Sequence, residues 1–394
     1  MKEYDIIIYG ASGYTARFVI ERLIKEQKRI ALAGRSLSNI NKNIISLDLK
    51  EDIEIFEVTV DNIDIITSKT KVLVNCCGPY IFTGEKIVKS CIEHRTHYLD
   101  ITGETLFIER ILNKYGEMAK RNGVFILNCC GFDSVPADMG FEYLKKHMNV
   151  DNFECESVMS LKNSFVNVAT YQSLIYGLGN IQELRKLRRN EKKVKNKKIK
   201  KIFYNKLTQS YCVIFMGTDA SVVKRSQNML EEHDLSKKGE YSAYFEVGSL
   251  KNLILFMFYF GMIYFLSKFK FGRKILLAFP GFFSCYRIKP NGPTLSEIEN
   301  ASFSIVFWGK GVASNGEIIR NKLKIDGGDP GYITTATCLT HCTVVLLNML
   351  EEKEMGIKNS LSLLEGGIFT PASVFSETDL IDRLCLKGVN FNIE

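Results

Sequence analysis

Y-G-A-S-G-Y-T, residues 9–15, follows an apolar strand pattern over residues 5–9 and opens a helical one. A glycine-rich turn between strand and helix is where a dinucleotide-binding fold seats phosphate. Gly10 permits the tight turn, Gly13 lets the backbone approach a pyrophosphate, and Ala16 is small enough for the helix to pack on the strand. The helix start offers N–H groups and the positive end of its dipole to an anion. On this reading Gly10, Ala11, Ser12, Gly13, Tyr14 and Thr15 cradle the pyrophosphate. Glycine turns after strands are common, so the weight falls on what comes next in the chain.

Residues 30–33 form a second apolar strand pattern that ends in Gly34, Arg35 and Ser36. An enzyme that uses NAD usually places an acid here for the ribose 2′-hydroxyl, whereas in this chain the next acid is Asp48. A guanidinium and a hydroxyl suit a 2′-phosphate through charge-assisted bonds. The expected cofactor is therefore NADP(H), with Arg35 and Ser36 on the phosphate.

Strand patterns recur at 53–58, 72–76, 98–101 and 124–129, with helical patterns near 14–27, 84–94 and 105–122. Strand–helix units of this length predict an α/β fold built on a Rossmann doubly wound parallel sheet. Its ligand crevice lies at the C-terminal strand ends, so the loops there carry the candidate chemistry. Cys77, Gly78 and Pro79, after the fourth strand, border the nicotinamide in this scheme. Hydride transfer needs a proton donor for the atom that gains charge, and Tyr80 and Asp133 are the candidates. Asp100, Glu104 and Asp133 equally suit capping a helix or bracing a loop. The sequence shows no Ser-His-Asp pattern and no metal-ligand spacing.

The same loops read N-C-C-G-P-Y-I-F-T-G-E (75–85), H-Y-L-D-I-T-G-E (97–104) and G-F-D-S-V-P-A-D-M-G (131–140). With Y-G-A-S-G-Y-T and A-G-R-S they closely resemble the saccharopine dehydrogenase-like oxidoreductases of eukaryotes. F-M-G-T-D-A-S-V-V-K-R-S-Q (215–227), G-P-T (292–294), A-S-F (301–303) and G-G-I-F-T-P-A-S-V-F-S-E-T-D-L-I-D-R-L (366–384) extend the resemblance, in order, over nearly the whole chain. Ala16 departs from the glycine that the family often has there. The resemblance implies a Rossmann domain over 1–135, an inserted second α+β domain over 136–330, and a segment, 331–394, that packs back on the Rossmann part. Lysine-pathway saccharopine reductases and bacterial trans-acting enoyl reductases are similar at greater distance. Saccharopine is not carried over as a substrate, because fold does not determine function. Such a site must hold several carboxylates, and outside its basic run the second domain has only Arg225, Arg273, Arg287 and Arg320 as arginines.

At 394 residues and 46% hydrophobic content, the chain is long enough for two cored domains. Its net charge of +8 is concentrated: residues 185–201 hold eleven Lys or Arg and one Glu, and without them 41 basic residues face 43 acidic ones. This run, within a basic insertion over 185–206, reads either as a solvated loop or as a contact for anionic lipid, where each cation gains roughly 1 kcal/mol. Nucleic acid is not expected, because no aromatics are interleaved with the charges. Residues 252–267 carry no charge; K-F-K-F-G-R-K and a second apolar stretch to residue 286 follow. Two apolar arms about a basic turn suggest a hairpin over 252–286 that dips into one leaflet or a lipid-droplet monolayer. A buried core helix and a homodimer interface are the soluble alternatives.

Eleven cysteines, an odd number without a C-x-x-C pair, suit a reducing compartment. A first strand starting by residue 4 suggests a cytosolic origin. The combined expectation is an NADPH-dependent oxidoreductase. It reduces a C=C, C=O or C=N bond of a small, apolar or lipid-linked substrate at a lipid droplet or intracellular membrane, the mitochondrial surface included. A non-catalytic dinucleotide-binding lipid-droplet protein and a saccharopine-type amino-acid reductase are the alternatives.

Overall fold

A computed structural model describes residues 2–47, 53–188, 200–289 and 292–394. The chain divides into two compact units. Met1–Thr102, Arg110–Val135 and Tyr332–Lys387 form the first, and Gly103–Glu109, Pro136–Gly331 and Gly388–Glu394 the second.

The N-terminal part runs β1 (Tyr4–Tyr9), α1 (Tyr14–Ile24), β2 (Ile30–Gly34), α2 (Leu37–Ser46), β3 (Ile55–Glu57), α3 (Asp64–Thr67), β4 (Thr70–Asn75), α4 (Tyr80–Glu93), β5 (His97–Asp100), α5 (Thr105–Arg121), β6 (Phe125–Leu127) and α6 (Val135–Met148). Next come β7 (Asp151–Lys162), β8 (Val166–Asn167), α7 (Val168–Gly179), α8 (Ile181–Leu187), β9 (Ile202–Asn205), β10 (Ser210–Ile214), α9 (Asp219–Glu232), β11 (Glu240–Gly248) and three successive helices, α10 (Leu250–Ser267), α11 (Lys270–Ala278) and α12 (Pro280–Phe283). The chain continues through β12 (Ile288–Lys289), α13 (Leu295–Glu299), β13 (Ser302–Val312), β14 (Ile318–Gly327), α14 (Thr335–Glu354), β15 (Gly367–Phe369), α15 (Pro371–Phe375), α16 (Leu380–Leu386) and β16 (Asn390–Ile393).

Among the described residues the first unit holds a seven-stranded sheet of order β15-β6-β5-β4-β1-β2-β3, parallel at every pairing. Ile6, Ile7 and Ile8 on β1 are fully buried, as a central strand covered on both faces requires. The chain runs from β1 outward to β3 and then returns to the other side of β1 as β4. That reversal places the loops after β1 and β4 at the topological switch point, where a doubly wound sheet opens its crevice. Strand β6 ends at Leu127: Asn128 N–H still donates to the Phe369 carbonyl at 3.3 Å while its side chain bonds Asp100, and Cys129 turns to φ +62°.

The C-terminal segment divides. Strand β15 extends the first sheet beside β6, with Phe125 and Phe369 stacked at 5.7 Å. Helix α14 packs on α1 in the same unit. Strand β16 instead pairs antiparallel with β14 in the second sheet, so the expectation that all of 331–394 returns to the Rossmann part is corrected for its last residues. Buried Phe391 and the open hydrogen-bonding edge of β14 draw this strand there.

The second unit is built on a mixed sheet of order β16-β14-β13-β7-β11-β10-β9, in which only β11–β7 is parallel among the described pairs. Burial alternates along β13, which has one face on the core. Helices α7, α10, α11 and α12 enclose a separate apolar cluster that includes Tyr171, Ile175, Ile263, Leu276 and Phe283. The sequence suggested a basic turn between two apolar arms, but most of K-F-K-F-G-R-K winds into α11. Gly272 permits this, since a Cβ there would lie 2.2 Å from the Leu266 carbonyl oxygen. Arg273 Nη1 then donates to the Ser267 carbonyl at 2.8 Å, capping the end of α10. Of the basic run, residues 189–199 lie outside the described residues. Arg188 at its start pairs with buried Glu109 at 2.8 Å.

Candidate functional site

The loop after β1 is shaped by the backbone. Gly10 sits at φ +82°, and a Cβ there would lie 2.9 Å from Cys77 Cβ, so the loops after β1 and β4 touch through this glycine. The N–H groups of Gly10 and Ala11 donate to the Ala33 carbonyl, and Gly13 N–H donates back to Gly10 O at 2.9 Å. Asn43 of α2 donates through Nδ2 to the carbonyls of Ala11 (2.9 Å) and Gly13 (3.3 Å). With three of its amides bound internally and two of its carbonyls held by Asn43, the loop has Ser12 N–H and the first N–H groups of α1 to offer an anion. Gly13 is the N-cap of α1 and supplies no capping side chain, and the first turn carries no acid. The helix dipole is left for a ligand to satisfy. Ser12 is exposed and Thr15 half-buried. The ring of Tyr14 packs edge-on against Phe18 and Tyr332.

Arg35, at the end of β2, is exposed and makes no hydrogen bond or ion pair with the described residues. Its charge partly offsets the desolvation that raises the Cys77 thiol. Ser36 has a structural role, because its hydroxyl accepts from Asn39 N–H at 3.4 Å as the N-cap of α2.

The loop after β4 contains half-buried Cys77, exposed Gly78 and Pro79, which caps α4. Tyr80 corrects an expectation. It is buried at the first position of α4, and its hydroxyl donates to the Asn75 carbonyl at 3.0 Å. Desolvation, with the nearby Asp100 charge, raises its pKa well above the usual phenol value. The proton of Tyr80 thus points into the fold. Asp133 reaches solvent while surrounded by protein on its other sides, and desolvation raises its carboxyl above the usual range. Of the two proposed donors it has the more suitable placement.

Beneath the loops lies a polar network that pattern reading did not assemble. Asp100 is fully buried, and its carboxylate accepts from Thr102 N–H, Cys129 N–H, Asn128 Nδ2 and Tyr98 Oη at 2.7–3.1 Å. Tyr98 in turn accepts from Asn75 Nδ2 at 3.0 Å, and Asn75 Oδ1 accepts from Cys77 N–H at 2.9 Å. This chain ties together the ends of β4, β5 and β6. Desolvation lifts Asp100 to about 6 despite the four donors. A polar residue closing an apolar strand, as Asn75 and Asp100 do, was the available signal; Asn43 gave none. Glu104 accepts from Ser173 Oγ at 2.6 Å within the second unit. Among the described residues no group of His, Cys, Asp and Glu could hold a metal ion.

Comparison with known proteins agrees with this geometry. The saccharopine dehydrogenase NADP binding domain family matches residues 6–127. A rat saccharopine dehydrogenase-like oxidoreductase is 34% identical over 100% of this chain and 97% of its own length. The chain belongs to the saccharopine dehydrogenase-like oxidoreductases. A Caenorhabditis elegans relative, named lipid droplet localized protein, is 31% identical over 100% of this chain and 99% of its own. The glutamate-forming saccharopine dehydrogenase of Saccharomyces cerevisiae shares the fold, with a TM-score of 0.58 at 13% identity over 99% of this chain and 100% of the other.

This saccharopine dehydrogenase-like protein therefore binds NADP(H), and its residues fit that cofactor. The loop of residues 10–15, with its uncapped helix start, would hold the pyrophosphate, and the exposed Arg35 guanidinium would hold the 2′-phosphate. When bound, the nicotinamide supplies or accepts a hydride. The chain's own residues bind and orient it, and Asp133 can hold a proton at its carboxyl.

Proposed function

We propose that this protein uses NADPH to reduce a C=C, C=O or C=N bond of an apolar or lipid-linked substrate, working from the surface of a lipid droplet or intracellular membrane. The observation that carries this reading is the outer face of α10–α12. Two helices of the described chain are long and apolar enough to cross a membrane. The window containing α14 is 83% buried inside the protein, but that of α10 is only 17% buried. Ile254, Phe258 and Phe265 on α10, Phe269 and Phe271 around the start of α11, and Phe279 and Phe282 around α12 are all more than half exposed. Lys251, Lys268, Lys270 and Lys274 are exposed beside them. At 18 residues, α10 is about 27 Å long. With α7 and α11 packed on its inner side, it suits lying in a lipid interface better than spanning one. The name of the worm relative agrees with such a location.

The test is flotation of purified full-length protein with vesicles and with reconstituted lipid droplets, followed by NADPH oxidation in the presence of extracted lipids. Co-flotation and a turnover that Asp133→Asn slows without weakening NADPH binding would support the reading. A protein that stays at the bottom of the gradient as a soluble homodimer would refute its membrane half. The inward hydroxyl of Tyr80 favours one rival, a dinucleotide-binding lipid-surface protein without turnover. That rival gains if no lipid extract consumes NADPH. A saccharopine-type reductase is the third reading, and it requires turnover of saccharopine in a lipid-free assay.

A further inference from the structure

Within the first unit, the C-terminal end of α1 and the first two turns of α14 line a cavity of about 200 Å³. The residues that line it are all of polar or charged type, where two packed helices would ordinarily bury apolar side chains. Arg22 of α1 donates through Nε to Thr337 Oγ1 at 3.3 Å and through Nη1 to the Phe18 carbonyl at 2.9 Å; Nη2 has no partner among the described residues. Thr340 and His341 enter from α14, 0% and 4% exposed. Neither Thr340 Oγ1 nor His341 Nδ1 has a hydrogen-bond partner there. Buried polar groups in a folded chain are almost always satisfied, so two together on one cavity wall point to a polar occupant.

The charges indicate its sign. Lys387, just beyond α16, brings an ammonium that forms no ion pair with the described residues. Lys25 and Glu21 are paired with each other at 3.2 Å on the exposed rim. Arg383, farther back, is held by Asp379 at 2.7 Å. Arg22 and Lys387 then outweigh Glu26, the remaining carboxylate of the lining. Burial, and after it Lys387, Arg383 and Arg22, push His341 down to about 4, with Asp379 opposing. Its imidazole is therefore neutral at physiological pH and offers one donor and one acceptor.

We propose that this cavity is a binding site for a small oxyanion, a phosphate or a compact carboxylate, held by Arg22 and Lys387 through charge and by Thr340 and His341 through hydrogen bonds. The site is separate from the dinucleotide loop, at the opposite end of α1 from Gly13.

The experiment titrates full-length protein with sodium phosphate, with succinate and with sodium chloride at matched ionic strength. It reads melting temperature, calorimetric affinity and the imidazole NMR signals of His341, assigned by comparison with His341→Asn. The dinucleotide loop also attracts phosphate, so Arg35→Ala serves as the control for that site. Expected is a melting-temperature rise beyond that given by chloride, a shift of the His341 signals, and about tenfold weaker binding in Lys387→Gln and Thr340→Val but not in Arg35→Ala. A response to phosphate alone or to succinate alone identifies the oxyanion. Lys387 is exposed, so its variant keeps the fold even if Arg22→Gln does not. Unmoved His341 signals, or affinity unchanged in Lys387→Gln and Thr340→Val, would overturn the proposal and leave the cavity to water.

Discussion

Replacing Arg35 by alanine tests the residue expected to read the 2′-phosphate of the cofactor. The guanidinium is exposed and makes no bond to the described residues, so its removal should leave the melting temperature within a degree or two of wild type. The 2′-phosphate of NADPH carries roughly −1.5 to −2 charge at pH 7. A unit charge pair at about 4 Å is worth roughly 1 kcal/mol in water and about 4 kcal/mol near a protein surface. Arg35 faces solvent on one side, so a paired, charge-assisted contact there should contribute about 2–3 kcal/mol. Each 1.4 kcal/mol is tenfold in affinity, so Arg35→Ala should weaken NADPH about 30- to 150-fold. NADH, which lacks the phosphate, should change by less than about twofold, and the salt dependence of NADPH binding should flatten. Calorimetric titration of both nucleotides at two salt concentrations measures all of this. An equal loss for both nucleotides, or a preserved NADPH preference, would refute the assignment of Arg35 and the argument from the missing acid.

Gly10→Ala forces a side chain into φ +82° and against Cys77; a loss of about 1–3 kcal/mol in denaturant unfolding and of NADPH binding is expected. Asp100→Asn tests the buried network. The folded-state pKa of Asp100, about 6, lies above its ordinary 3.8, so the stability gained by keeping it protonated is full below about pH 4. As pH rises through 6, up to about 3 kcal/mol of that contribution should be lost in wild type but not in the variant. The same pH dependence in wild type and Asp100→Asn, measured by urea titration, would rule this out. Tyr80→Phe removes a bond to the Asn75 carbonyl and should lower stability by about 1 kcal/mol. It should leave the turnover sensitive to Asp133→Asn unchanged; a large fall would restore Tyr80 as the proton donor.

How much could be read in advance depended on whether the signal was local. The alternation of short apolar runs with helical stretches, the Gly10–Gly13 spacing and an arginine at the end of β2 are properties of neighbouring residues. They were enough to predict the doubly wound sheet and NADP(H) as the cofactor, because β-strand period, helix period and backbone freedom act over a few residues. What depends on distant partners was not legible. Asn43 holds the loop carbonyls from 30 residues away, and Asp100 gathers donors from β5 and from the loops after β5 and β6. The hydroxyl of Tyr80 is directed inward by the strand end it meets. The two apolar helices make the point most directly. By composition α10 and α14 both pass as membrane segments, yet α14 lies in the core of the first unit while α10 leaves half of its residues exposed. Hydropathy measures how strongly a segment avoids water. Which surface covers it, protein or lipid, is set by tertiary packing.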